Sequence, residues 1–443
     1  MLRTLRVCLL AALAIFVSWI TSGQTIHAEE PPLPRLRLVE AVQLSDFALA
    51  IGSDELDLRG AVISPSGLLM AYPTGRRFCI YAFAAQTLDC VPMPDSLTSL
   101  APRLVWSPDE RMIAMHEDFH RFLFEPDIWL FDVENRQFIH RTDDDAQGRW
   151  STLQAPLFDW LPTWHPQGDL YFFRTADLQT TELYRIRASE LRSSSSPELI
   201  PRTMRWLTHP AYGSVYDLGF NGLAGVSAFS PDGTQLALVV RPPQINDPFS
   251  GVWIIRPESG TARQVVPRSQ LTKGLPAYIT DAQFFVVTAL SWTSDGELII
   301  SAELPAPGPE NPLFSMLYRV SIRTGELTPL IDFSDVPDVE SLVEIPEGGT
   351  SRLFDQPLAP VIVRRPLAEG QTIMQEVLLT FNREIPSSRS GLTIFVLPTG
   401  EQVGRDGIPY DRPRPSFIYS AGTDGSIVRA IMFGYLLTLE WEG

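Results

Sequence analysis

Cysteine is scarce, with three in 443 residues, and Cys8 lies inside an amino-terminal apolar run. That excludes a disulfide-built scaffold or a cysteine-rich metal domain. Positive charge is also short: 35 Lys and Arg face 52 Asp and Glu, for a formal net charge of −17. Such a body repels nucleic acid and anionic lipid, so no nucleic-acid partner is expected. No apolar run after the first segment is long enough to span a bilayer. The Gly-x-Ser-x-Gly elbow that a serine-hydrolase domain would need is missing too.

What is present is a folded composition, 44% hydrophobic and only 20% charged, with 38 prolines and 29 glycines. That balance fits many turns and few long helices. Arg3 and Arg6 precede an apolar stretch from Val7 to Ile20, and polar residues to Ala28 lead into Glu29-Glu30-Pro31-Pro32. A basic start, a short apolar stretch and a small residue read as a signal peptide over residues 1–28. A linker at 29–35 and one folded domain over 36–443 follow. An uncleaved amino-terminal anchor is the alternative, and either way the body is expected outside the cytoplasm, secreted or periplasmic.

One pattern organises the rest. Phe229-Ser230-Pro231-Asp232-Gly233 is followed by Leu236-Ala237-Leu238-Val239-Val240. Proline pre-sets one turn dihedral, Asp bonds amides two residues on, and Gly takes the left-handed conformation that closes the turn. The short apolar run after it has strand length and strand composition.

Copies of the turn occur at Ile63 to Gly67, Trp106 to Glu110, Trp164 to Gly168 and Trp292 to Gly296. A degraded one is Thr423-Asp424-Gly425. Each intact copy precedes a strand, and an aromatic-rich strand ending in a polar turn comes later, as in Ile128-Trp129-Leu130-Phe131-Asp132. The interval from Gly296 to Gly425 is about twice those before it, so one repeat has lost its turn; Glu376 to Thr380 and Leu392 to Val396 are read as its remaining strands. The pattern predicts an all-β chain, a β-propeller of four-stranded antiparallel blades, seven in number with six as the alternative. The lone stretch Leu36 to Val42 should close the ring against a carboxy-terminal strand near Tyr435 to Glu440, which removes exposed edges.

The Trp/Phe-Ser-Pro-Asp-Gly turn, the short apolar strand, the Leu-Tyr/Trp-x-apolar segment and the Thr-Gly or Ser-Gly turn resemble the WD-like repeat of TolB-type propellers. The resemblance runs from about Ala61 to Gly400 and implies the fold. It carries no partner, because the motif residues are structural. Residues 29–60 are too few for the smaller domain that precedes a TolB propeller.

Cys79 and Cys90 flank a hairpin by pattern, and an oxidising compartment would permit a bridge. Aligning Phe78-Cys79-Ile80-Tyr81 with Asp127-Ile128-Trp129-Leu130 puts the two cysteines several residues out of register, which argues against one.

Candidate chemistry is sparse. His116-Glu117-Asp118-Phe119-His120 matches H-E-x-x-H, but zinc proteolysis needs both imidazoles on one face of a helix, and this copy follows a strand. Asp143-Asp144-Asp145 lacks the alternating spacing of a calcium loop and reads as a solvated turn. Asp332, Asp335 and Asp338 carry no metal signature, and Ser193 to Ser196 reads as a flexible loop. No catalytic residue, metal or cofactor is therefore expected. Trp150 and Trp160 are the candidate partner contacts at the mouth of the channel, with core packing as the competing reading. Pro305 to Leu313 is either a binding loop or a rigid connector.

The expected function is a monomeric scaffold that binds a protein or glycan through loops on one face. The alternative is a propeller enzyme, a sugar lyase, hydrolase or isomerase, with its site at the channel mouth. An enzyme should gather carboxylate, His or Tyr groups of perturbed pKa at one mouth; a scaffold should present a broad aromatic and polar face.

Overall fold

A computed structural model describes residues 35–53, 58, 60–97, 100, 103–117, 126–143, 157–175, 181–200, 226–240, 250–271, 286–293, 296–305, 313–329, 358–366, 372–381, 392–399, 417–432 and 435–442. Residues 1–28, read from sequence as a signal peptide, and 29–34 lie outside them.

The chain begins with β1 (Arg35–Gln43) and a short helix α1 (Leu44–Ala50). Five antiparallel four-stranded sheets follow in sequence order. Blade 1 is β2 (Val62–Ile63), β3 (Leu69–Thr74), β4 (Arg77–Ala82) and β5 (Thr87–Pro92). Blade 2 is β6 (Val105–Trp106), β7 (Met112–His116), β8 (Ile128–Asp132) and β9 (Gln137–His140). Blade 3 is β10 (Phe158–Trp164), β11 (Leu170–Thr175), β12 (Thr181–Ile186) and β13 (Glu198–Leu199). Blade 4 is β14 (Ser227–Phe229), β15 (Leu236–Val240), β16 (Gly251–Arg256) and β17 (Thr261–Pro267). Blade 5 is β18 (Val286–Trp292), β19 (Leu298–Pro305), β20 (Leu313–Val320) and β21 (Leu327–Pro329).

The last sheet holds β22 (Leu358–Pro366), β23 (Thr372–Phe381), β24 (Leu392–Thr399), β25 (Phe417–Thr423), β26 (Ile427–Met432) and β27 (Tyr435–Glu442), with β1 at its far edge. Blade 6 is the β25-β26-β27-β1 part. β1 pairs with β27 from Arg35↔Glu442 to Gln43↔Tyr435, so strands from both ends of the chain close the ring as the sequence predicts.

Among the described residues there are six blades, the alternative count, rather than seven. The strands assigned to a degraded repeat do form, as β23 and β24. They do not stand as a separate sheet, because β24 pairs with the first half of β25 (Leu392↔Ala421 to Val396↔Phe417) while its second half pairs with β26.

Each turn is built as its letters require. Gly233 N–H donates to Ser230 O at 2.8 Å, Ser230 Oγ donates to Asp232 Oδ1 at 2.5 Å, and Gln235 N–H returns to Ser230 Oγ at 3.0 Å. Ser107-Asp109-Met112 repeats the pattern at 2.7 and 2.9 Å. At Gly233, φ is +75°, and a Cβ there would run into the imidazole of His165 from the neighbouring blade. His165 Nε2 bonds Gly233 O at 3.0 Å and its ring meets Phe229 edge-on at 4.9 Å. Blade 2 has Glu110 in the glycine slot at φ +60°, and its carboxylate accepts from Ser66 N–H and, at 2.8 Å, Ser66 Oγ in the turn of blade 1.

The tryptophans of the motif are the second device that joins blades. Trp106 Nε1–H donates to Val62 O at 3.4 Å, Trp164 to Val105 O at 2.9 Å and Trp292 to Ala228 O at 2.9 Å. In each case the acceptor is the residue just before the motif position of the preceding blade. The indole fills the interface between two sheets while its one polar atom stays satisfied. First strands adjoin from sheet to sheet, β6 with β10, β10 with β14, β14 with β18 and β18 with β25, and so line the central channel. Apolar side chains fill the gaps between blades, such as Ile113, Met115, Trp129 and Phe131 against Phe78 and Ile80.

Cys79 and Cys90 form a disulfide, contrary to the register inferred from sequence. β4 pairs with β5, not with a strand of blade 2, and sets Cys79 directly opposite Cys90 with Cα atoms 4.1 Å apart.

Candidate functional site

The two faces of the ring differ in how strands are connected. On the turn face the connections are short, as at 107–111, 133–136, 230–235 and 257–260, with 187–197 in blade 3 the longer exception. On the opposite, loop face the chain spends far more residues, at 93–104, 117–127, 141–157, 200–226 and 268–285. β7, β9 and β11 end on that face, and β8, β10 and β12 begin there.

A polar network occupies the loop face between blades 2 and 3. Asp127, just before β8, accepts from His140 Nε2 at 2.8 Å and from Thr142 Oγ1 at 3.0 Å. Thr142 Oγ1 in turn accepts from Ile128 N–H at 2.9 Å. His140 Nδ1 lies 3.3 Å from Asp143, and the ring stacks flat on Trp129 at 4.0 Å. Glu117 joins through its main chain, with its N–H on Asp127 O at 3.2 Å, and Asp127 N–H reaches Glu117 Oε2 at 3.4 Å. In blade 3, buried Asp159 holds Arg174 by two bonds of 2.7 and 2.6 Å, and its own N–H donates to Pro126 O at 2.8 Å.

Burial is the main cause of the shifted protonation equilibria here. It lifts Glu117 to about 7, helped by the charge of Asp127 and opposed by the Asp127 amide, His140 and Trp129. Burial lifts Asp159 to about 6; the bonds and charge of Arg174 hold it below neutrality, so the pair is ionic at pH 7. For His140 burial works the other way, but the hydrogen bond and charge of Asp127 outweigh it and raise the pKa. The result is one buried acid poised near neutrality beside a histidine that favours its cation.

The structure disperses most of the residues singled out from sequence. His116 ends a strand and Glu117 continues extended into an isolated bridge with Leu100, so the first half of the H-E-x-x-H pattern is not helical. His120 lies outside the described residues, as do Asp144, Asp145, Asp332, Asp335, Asp338, Trp150 and 306–312. Trp160 is 6% exposed, packed 5.5 Å from Phe173 inside blade 3, where it offers no indole surface to a partner. The serine run is pinned rather than loose, because Arg141 Nη2 donates to Ser195 O at 2.7 Å. Asp127, His140, Thr142 and Asp159 carry no local motif. Only their shared position at strand ends on the loop face marks them, and that depends on the blade register.

No family model matches the chain, and no curated protein matches it. Solved structures do. The oligogalacturonate lyase of Vibrio parahaemolyticus is 12% identical with a TM-score of 0.43, covering 87% of this chain and 89% of that one. A putative TolB of Agrobacterium tumefaciens is 14% identical with a TM-score of 0.35, covering 68% and 89%. A chain of a mitotic checkpoint complex is 14% identical with a TM-score of 0.41, covering 94% and 95%. None of these likenesses bears on chemistry.

Proposed function

We propose that the protein is an extracytoplasmic recognition scaffold of the TolB-like type that contacts a protein or glycan partner with its loop face, centred on blades 2 and 3. The observation that carries this reading is the asymmetry of the connections. The turn-face connections of blades 1 and 2 are of four or five residues, whereas the loop face, apart from the turn at 75–76, joins its strand ends by longer segments, which is where scaffolds place recognition. The Cys79–Cys90 bridge supports an oxidising compartment. Saturation of the network also favours binding over catalysis: both ring nitrogens of His140 and both oxygens of Asp127 are already engaged.

A photo-crosslinking amino acid at position 95 or 143, on the loop face, should trap a partner from an envelope extract; the same group at position 258 on the turn face should not. Crosslinks at 258 alone, or at none of the three, would overturn the reading.

A second reading, an enzyme acting on acidic or neutral sugars, is favoured by Glu117 alone, whose pKa near neutrality suits proton transfer. Turnover of an oligosaccharide panel that disappears in Glu117→Gln would support it, and turnover unaffected by that change would sink it.

A further inference from the structure

Two groups at the loop-face mouth of the channel stand outside these networks. Arg103 precedes β6 in blade 2, and its Nη2 donates to Ser227 O, at the start of β14 in blade 4, at 3.2 Å. That bond passes over blade 3, so it spans the channel between first strands. Arg174, Arg185 and Arg192 each hold a carboxylate. Arg103 holds none among the described residues, and the Ser227 carbonyl is its hydrogen-bond partner. His116, at the end of β7, has a buried Nδ1 that makes no hydrogen bond.

Both side chains are part-buried, and the Val105↔Ala114 register of β6 and β7, continued toward the loop face, sets Arg103 opposite His116. Burial lowers the Arg103 guanidinium to about 10; burial and then the Arg103 charge lower His116 to about 3. His116 is therefore neutral, with one proton to donate. Glu117 does not neutralise Arg103, because alternation along the extended chain turns it to the other side, toward Asp127 and His140. Nearby, Thr163 Oγ1 and Ser227 Oγ bond each other. β10 bulges between Trp160 and Thr163, with Leu161 at φ +56°.

A desolvated cation with no counter-charge among the described residues and an orphaned donor beside it describe half of an ion pair. We propose that Arg103 and His116 form a receptor for one carboxylate group at the loop-face mouth of the channel. The guanidinium fork takes both oxygens and His116 Nδ1–H, in that tautomer, donates to one of them. The ligand would be a small organic acid or an acidic sugar presenting one such group. This site deepens the loop-face reading and rests on it.

The test is calorimetric titration and thermal melting of the full chain in succinate against chloride at equal ionic strength. Succinate should raise the melting temperature of the wild type, Arg103→Met should abolish the response, and His116→Leu should weaken binding about tenfold, as expected for one lost hydrogen bond to a charged group. In chloride, Arg103→Met should melt no lower than wild type, because the charge it removes has no counter-charge among the described residues. Should that variant not fold, Arg103→Lys keeps the charge without the fork and should still lose most of the affinity. A wild type indifferent to succinate, with Arg103→Met melting several degrees lower in chloride, would show an internally engaged arginine and overturn the proposal. Equal stabilisation of wild type and variants would show adventitious binding and overturn it as well. Either failure alongside loop-face crosslinks would remove the carboxylate receptor and spare the recognition scaffold.

Discussion

Carboxylates on the two faces of this propeller are shifted in opposite directions. On the turn face, Asp132 is held down to about 2: burial works against it, but Arg192 at 2.6 Å and Asn135 outweigh that. Asp232 and Glu198 are lowered likewise, the first by Ser230 and Thr234 against a burial penalty, the second chiefly by Arg185. On the loop face, Glu117 and Asp159 are pushed up by burial. Turn-face acids accept bonds from hydroxyls, amides and guanidinium groups that exist to close a turn, and so favour their anions. Loop-face acids are buried at strand ends near Asp127, where a charge is costly. The first arrangement stabilises the fold; the second stores free energy that ligand binding or proton transfer can draw on.

The comparison is broken most severely at Arg174. Arg174→Met leaves Asp159 buried without its partner and should cost about 3–5 kcal/mol at pH 8. The loss should shrink toward pH 5 as Asp159 takes up a proton, which urea unfolding at the two pH values will read. An equal loss at both would mean that Asp159 is not the group responsible.

Glu117→Gln should do the reverse. With a folded pKa of about 7 against an ordinary value of 4.5, Glu117 loses its proton first in the unfolded chain, so stability falls as pH rises through that window. The variant should be more stable than wild type by about 2–3 kcal/mol at pH 8 and indistinguishable below pH 4.5. A loss of stability at pH 8 would show that the carboxylate braces the blade.

Gly233→Ala sharpens the contrast on the turn face. A side chain at φ +75° is strained, and it meets His165. A loss of about 2 kcal/mol is expected, independent of pH. His165→Ala in the same background should recover part of it if the collision, not the dihedral, dominates.

Asp232→Asn is the mildest change. Asp232 is exposed and screened, so its loss should cost about 1 kcal/mol or less at pH 7. Because its pKa is depressed, that contribution should vanish as pH falls below the ordinary Asp range. A larger effect at low pH would contradict the assignment.

How much of this was legible beforehand follows from range. The Ser-Pro-Asp-Gly turns, the motif tryptophans and the strands after them are local, so their residues show in the chain itself. Ring closure was legible because Leu36 to Val42 had no partner nearby and β27 needed an edge. The count stayed between seven and six because the turn of one repeat is absent, and the pairing of β24 with β25, which leaves six blades among the described residues, cannot be read from either strand alone. Trp160 is buried, the core-packing reading of the two, and the sequence could not choose between them because an aromatic ahead of a motif tryptophan has no local mark of being buried.

The sequence by itself determined the repeat, the sheet order and the acidity of the body, since a turn or a strand depends on neighbours a few residues away. Only the tertiary structure decided that Cys79 faces Cys90, that Asp127, His140, Thr142 and Glu117 meet at one blade edge, and that Arg103 holds no carboxylate among the described residues. Those outcomes depend on hairpin register and on which strand ends share a face. Short turns such as 83–86 and 133–136 set the register and the blade order sets which strand ends meet, and the spacing of these residues along the chain carries no imprint of either.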